Sequence, residues 1–133
     1  MVVPITAIYA SVLGLMALFL AYRVTVFRRG TKTGLGDRGD RDFQTAIRAH
    51  ANFVEYTPIF LIILFVGELN GVPVWGVHLA GLMFVLSRFA HAWGMYESRG
   101  GAHPGRFWGI VGTWLGTLIA IVMTIQNALV LGV

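Results

Sequence analysis

Four apolar stretches alternate with short polar connections along the chain, and each stretch is of the length that crosses a bilayer as a helix. The first, from Pro4 to Tyr22, carries no charge and rises about 28 Å as a helix, close to the ~30 Å of bilayer hydrocarbon. Its neutral start, with the basic residues following the apolar run, reads as a retained span rather than a cleaved signal peptide. The span is expected to run to about residue 27, with Arg23 snorkelling to the headgroups and Arg28 and Arg29 beyond it.

Residues 28 to 42 hold four glycines and eight charges, a composition with nothing to bury, and so form a polar loop. Those glycines are too irregular for a phosphate-binding fingerprint, and no strand precedes them. Asp40 or Asp42 caps a second helix over about 43–69, which contains Pro58. Asn70-Gly-Val-Pro is a tight turn into a third span, about 74–96, interrupted only by His78, Arg88 and His91. A second polar loop, from Glu97 to Arg106, leads to a fourth span over about 107–131. Gly112 and Gly116 form a small-xxx-small pair there, a face for close helix approach either inside one bundle or between subunits. The fold class is an all-α integral membrane four-helix bundle, one domain over residues 1–133.

Composition agrees with the pattern: 56% of residues are hydrophobic and 12% charged, against roughly 25% charged in an ordinary soluble chain. A net charge of +4 raises the question of nucleic acid, but the basic residues form no stripe and membrane-length runs separate them. They report topology instead. All ten lysines and arginines lie in the first or third connection or the adjoining helix ends, which places both long loops in the cytoplasm and both termini opposite. With no cysteine, any reactive thiol must arrive on a substrate.

The chemistry gathers at Arg48-Ala-His-Ala-Asn-Phe-Val-Glu-Tyr-Thr-Pro58. Arg48, Asn52 and Glu55 share one helix face, and each is costly in a membrane unless compensated. Arg88 and His91 return to the same depth on the third span, framed by Arg23, Arg28, Arg29 and Arg106. A cationic pocket with one carboxylate suits an anionic ligand that also bears an amine, and glutathione fits. Each residue also has a plainer role: Arg48 as a helix-end arginine held by lipid phosphates, and Glu55 as the partner of Arg48 or Arg88 in an ion pair joining helices. His50 points away from Arg48, toward a helix–helix hydrogen bond. Arg88 faces inward, His78 is structural, and Trp75, Trp93, Trp108 and Trp114 form an interfacial belt or packing. The histidines and Glu55 match no metal-ligand spacing, and the arginines oppose a cation, so no metal is expected.

The run from Arg48 through Asn52, Glu55 and Tyr56 to Pro58 resembles the second-helix signature of the MAPEG family, the membrane-associated proteins in eicosanoid and glutathione metabolism, and closely resembles its bacterial members. The Arg28-Arg29 pair, Arg88 and His91 fall in the same order, and the resemblance spans the chain. It implies a homotrimer in the bacterial inner membrane, with glutathione bound between subunits near the cytoplasmic face. Arg48, Asn52, Glu55 and Tyr56, with Arg88 and His91, would hold glutathione, Glu55 taking its ammonium; Arg28, Arg29 and Arg106 would serve the thiol. The implied activity is a glutathione transferase or peroxidase acting on lipophilic electrophiles or lipid hydroperoxides; the alternative is a non-catalytic lipid-binding or scaffold protein of the same fold. Met95 stands where several relatives carry a tyrosine, with Tyr96 one residue out of register.

Overall fold

In hydrocarbon a backbone has no water to satisfy it, so its N–H and C=O groups must pair within a helix or a closed barrel. A computed structural model, which describes residues 2–132, takes the first route with α1 (Pro4–Thr31), α2 (Arg41–Leu69), α3 (Val74–Glu97) and α4 (Pro104–Val130). All four are long and apolar enough to cross a membrane, and the described residues contain no strand. The chain is an all-α membrane bundle.

Helix ends differ from the sequence expectation where local chemistry extends them. α1 continues beyond residue 27 to Thr31, because Arg28 and Arg29 favour the negative end of the helix dipole. Lys32 then turns left-handed at φ 52°, and Thr33 N–H closes the end on Arg28 O at 3.1 Å. Asp40 is the residue that caps α2, accepting from Asp42 N–H at 2.8 Å and Phe43 N–H at 3.0 Å. α4 starts at Pro104 rather than 107: His103 Nδ1 accepts from Gly105 N–H at 3.0 Å, and the proline occupies a first-turn position that needs no N–H. α2 runs without interruption through Pro58.

α3 and α4 make the closest pairing in the bundle, through Gly105, Gly109, Gly112 and Gly116 on one face of α4. A Cβ on Gly109 would stand 2.6 Å from His91 N, and one on Gly116 3.1 Å from Phe84 N. The Gly112/Gly116 face is therefore used for packing inside one subunit. Phe60 and Phe84 stack at 3.8 Å between ring centroids and tie α2 to α3, while Leu13 and Leu20 bury the inner face of α1.

The opposite end of the bundle is fastened by polar groups. Glu68, near the end of α2, accepts from Ile5 N–H at 2.9 Å and Thr6 N–H at 2.6 Å, capping α1 from another helix. Tyr9 OH lies 2.9 Å from His78 Nδ1, the structural role expected of that histidine. Replacing Glu68 by alanine strips two orphan N–H groups of their acceptor, and should cost about 1–2 kcal/mol. Glu68→Gln, which keeps one acceptor oxygen, should fall between parent and alanine in a detergent melting series; equal melting temperatures for all three would refute the cap.

Candidate functional site

At the arginine-rich end, where α1 and α3 finish and α2 and α4 begin, two adjoining cavities open. The first, of about 460 Å³, is lined by Arg48, Asn52, His91 and Arg106 with Arg41 and Arg99 from the loop side. The second, of about 410 Å³, shares Asn52, His91 and Arg106 and adds Tyr56, His103 and Phe107. Helical geometry explains the assembly. Arg48, Asn52 and Tyr56 recur at four-residue intervals on α2, His91 faces them from α3, and Arg106 stands in the first turn of α4.

The loop rim is held by arginine. Arg106 Nη1 donates to the carbonyls of both Gly100 and Gly101. Arg99 forks onto Asp42, with Nη2 to Oδ2 at 3.0 Å, and Arg41 Nε donates to Arg99 O at 2.8 Å. The hydrogen bonds and charge of Asp42 push the Arg99 guanidinium above its ordinary value, so it stays protonated throughout the accessible pH range. Arg41 and Arg99 escape the sequence reading; their one signal is that they lie in the two polar loops.

Arg48 and Glu55 approach to 3.8 Å, with side chains 57% and 51% exposed on the outside of the single chain. Such an open pair contributes about 0–1 kcal/mol. Both residues sit on α2, so the pair does not join helices. Arg88 goes elsewhere: at 1% exposure it donates from Nη1 to Asn52 Oδ1 at 2.9 Å, with its guanidinium 5.5 Å from the Tyr56 ring centroid. It thus faces inward as expected, but behind Asn52, and it lines neither cavity.

Arg28 and Arg29 lie outside both cavities of their own chain. Arg28 donates to Gly34 O at 2.6 Å and covers Phe43 at 5.4 Å, and Arg29 is exposed. His50 is half-buried and forms no hydrogen bond among the described residues, against the expected helix–helix bond. Trp75, Trp93, Trp108 and Trp114 are all exposed on the outer surface. Among the described residues no three His, Cys, Asp or Glu side chains gather as a metal site. A third, apolar groove of about 490 Å³ runs between α1 and α3, lined by Met16, Phe19, Leu20, Phe89, Trp93 and Tyr96 among others.

Comparison with known proteins bears on the same residues. The model of the MAPEG family matches residues 6–126 of the chain. The inner membrane protein YecN of Escherichia coli strain K12 is 30% identical over 117 residues, spanning 88% of this chain and 87% of the relative. YecN of the O6:H1 strain CFT073 matches to the same extent.

Proposed function

Because this chain belongs to the MAPEG family, we propose that it binds glutathione in the arginine-lined cavities and uses the thiolate on a lipophilic electrophile or lipid hydroperoxide drawn from the bilayer. The observation that carries the reading is the gathering of Arg48, Asn52, His91 and Arg106 around one cavity, with Glu55 on the adjacent face. Glutathione presents two carboxylates, one ammonium and a thiol; the cavities offer guanidinium groups for the first, and Glu55, which lines neither cavity of the single chain but stands 3.8 Å from Arg48, would supply a carboxylate for the second.

Arg106 is the cation of this chain suited to the sulfur. Its Nη1 is committed to loop carbonyls, which fixes the guanidinium at the cavity edge and leaves its other N–H groups for a ligand. A positive charge there lowers the thiol pKa and holds the thiolate, the nucleophilic form. In conjugation the sulfur bonds to the electrophilic carbon and the displaced group leaves with the electron pair. In peroxide reduction two glutathiones become the disulfide while the hydroperoxide becomes an alcohol and water.

A homotrimer completes the site in this reading. Glu55 lies about halfway along α2 with its side chain half exposed on the outside of a membrane-length helix. A charge facing hydrocarbon there is expensive. A neighbouring copy over that face would shield Arg48 and Glu55, and could bring Arg28 or Arg29 to the ligand. In this reading the cavities face the cytoplasm, which the positive-inside bias supports, and the membrane is the inner one, as in YecN's name.

Glutathione binding only to folded protein must stabilise it, by about 2.7 kcal/mol at a hundredfold excess over Kd, and so raise its melting temperature. The expected result is a saturable rise in detergent, larger for S-hexyl-glutathione because its alkyl chain adds apolar burial. No rise with either ligand would overturn the proposal and favour the second reading, a non-catalytic lipid-binding or scaffold protein, for which the apolar α1/α3 groove is the supporting feature.

A further inference from the structure

A buried guanidinium decides which way the Asn52 carboxamide faces. Arg88 carries N–H donors and no acceptor, so the Asn52 atom it meets at 2.9 Å must be the oxygen, Oδ1. The same guanidinium also approaches the Asn52 backbone carbonyl at 3.5 Å, so both contacts place oxygen toward Arg88. The other end of the carboxamide, Nδ2, is then turned away from Arg88 and has no partner among the described residues. Asn52 lines both cavities. A free asparagine side chain can present either end; this one is held.

We infer that Arg88 is a positioning residue that locks Asn52 with its amide N–H groups toward the cavities, so that the site selects a ligand group that accepts hydrogen bonds, a carboxylate or peptide carbonyl, over one that donates. Two further observations agree. Arg88 Nε and Nη2 are buried without a partner, and Arg88 forms no ion pair among the described residues. Its charge is therefore uncompensated, lying directly behind Asn52 on the side away from the ligand. Tyr56 and Phe84, whose ring centroids lie 5.5 and 6.0 Å from the guanidinium carbon, wall it from water and keep its field strong. A locked donor backed by a buried cation attracts an anionic acceptor without Arg88 touching it.

The identity of the ligand rests on the glutathione reading; the lock does not. The test is a cycle of Asn52→Asp, Arg88→Met and the double variant in full-length, detergent-purified protein, melted with and without glutathione. Without ligand, Asn52→Asp should raise the melting temperature by a few degrees, because it gives Arg88 a counter-charge, and should fail to do so when Arg88 is methionine. With ligand, Asn52→Asp should abolish the glutathione shift, since an anionic acceptor replaces the donor. Arg88→Met fills the same space without a donor and should weaken glutathione about tenfold, whereas Arg88→Lys, again donor-only, should restore most of the affinity.

Additive effects in the ligand-free cycle would overturn the lock, as would Arg88→Met binding glutathione as tightly as the parent. If the parent itself shows no glutathione shift, the functional reading falls while the ligand-free cycle still decides the lock. Should Arg88→Met fail to fold, Asn52→Asp alone remains decisive, because a lowered melting temperature there overturns the idea.

Discussion

Glu55→Gln, in protein that still folds, should lose glutathione affinity by about thirtyfold or more while its melting temperature moves little. The two halves of that expectation rest on different magnitudes. Among the described residues Glu55 forms an ion pair only with Arg48, at 3.8 Å and half exposed, which contributes about 0–1 kcal/mol. A carboxylate enclosed against a ligand ammonium, once truncated, costs about 2–5 kcal/mol of binding. Arg48→Ala should behave alike from the opposite sign, losing a guanidinium for a ligand carboxylate. An ion pair serving only the fold predicts the reverse, with both variants melting early and binding unchanged. The geometry already disfavours that alternative, because Arg48 and Glu55 share α2 and Arg88 bonds to Asn52 rather than to Glu55. Titration calorimetry of the two variants against the parent separates the cases.

The four helices were legible because membrane-length apolar runs leave few other structures, and the second-helix motif holds Arg48, Asn52 and Tyr56, which line the cavities, beside Glu55, which lines neither. What escaped was fixed by contacts between helices. Spacing within α2 says that Arg48, Asn52 and Glu55 share a face, but not that Arg88 reaches Asn52. That depends on how α3 is rotated against α2, which no single helix records. The start of α4 reads late from the sequence because histidine is an unusual cap, although Pro104 beside it is a readable start signal. Gly112 and Gly116 stand out as a pair, but the longer series with Gly105 and Gly109, at alternating four- and three-residue steps, is the stronger helical signal. Glu68 capping α1 joins residues more than sixty positions apart and leaves no local trace in the pattern.

Gly109→Leu should be among the most damaging single changes in the bundle. Even a bare Cβ at that position would stand 2.6 Å from His91 N and 2.7 Å from its Cα, and those are backbone atoms of α3 at a buried residue, which cannot rotate aside as a side chain can. Overpacking a close-packed interior costs about 1–3 kcal/mol for small additions and more when the backbone must move. Gly109→Ala, whose Cβ already meets that backbone, should therefore lie at the top of that range or above it, and Gly109→Leu well beyond it. Gly14 supplies the control: it is exposed on α1, a Cβ there meets nothing within 4 Å, and alanine in a helix interior is favoured over glycine by about 0.5–1 kcal/mol. Gly14→Ala should melt at or slightly above the parent. The position also links packing to the site, since His91 lines both cavities and its distance from α4 is set by Gly109. Gly109→Ala should thus weaken glutathione as well as lower the melting temperature, whereas Glu68→Ala, at the opposite end, should lower stability alone. Equal glutathione affinity in the two variants would mean that the α3–α4 approach does not shape the binding cavities.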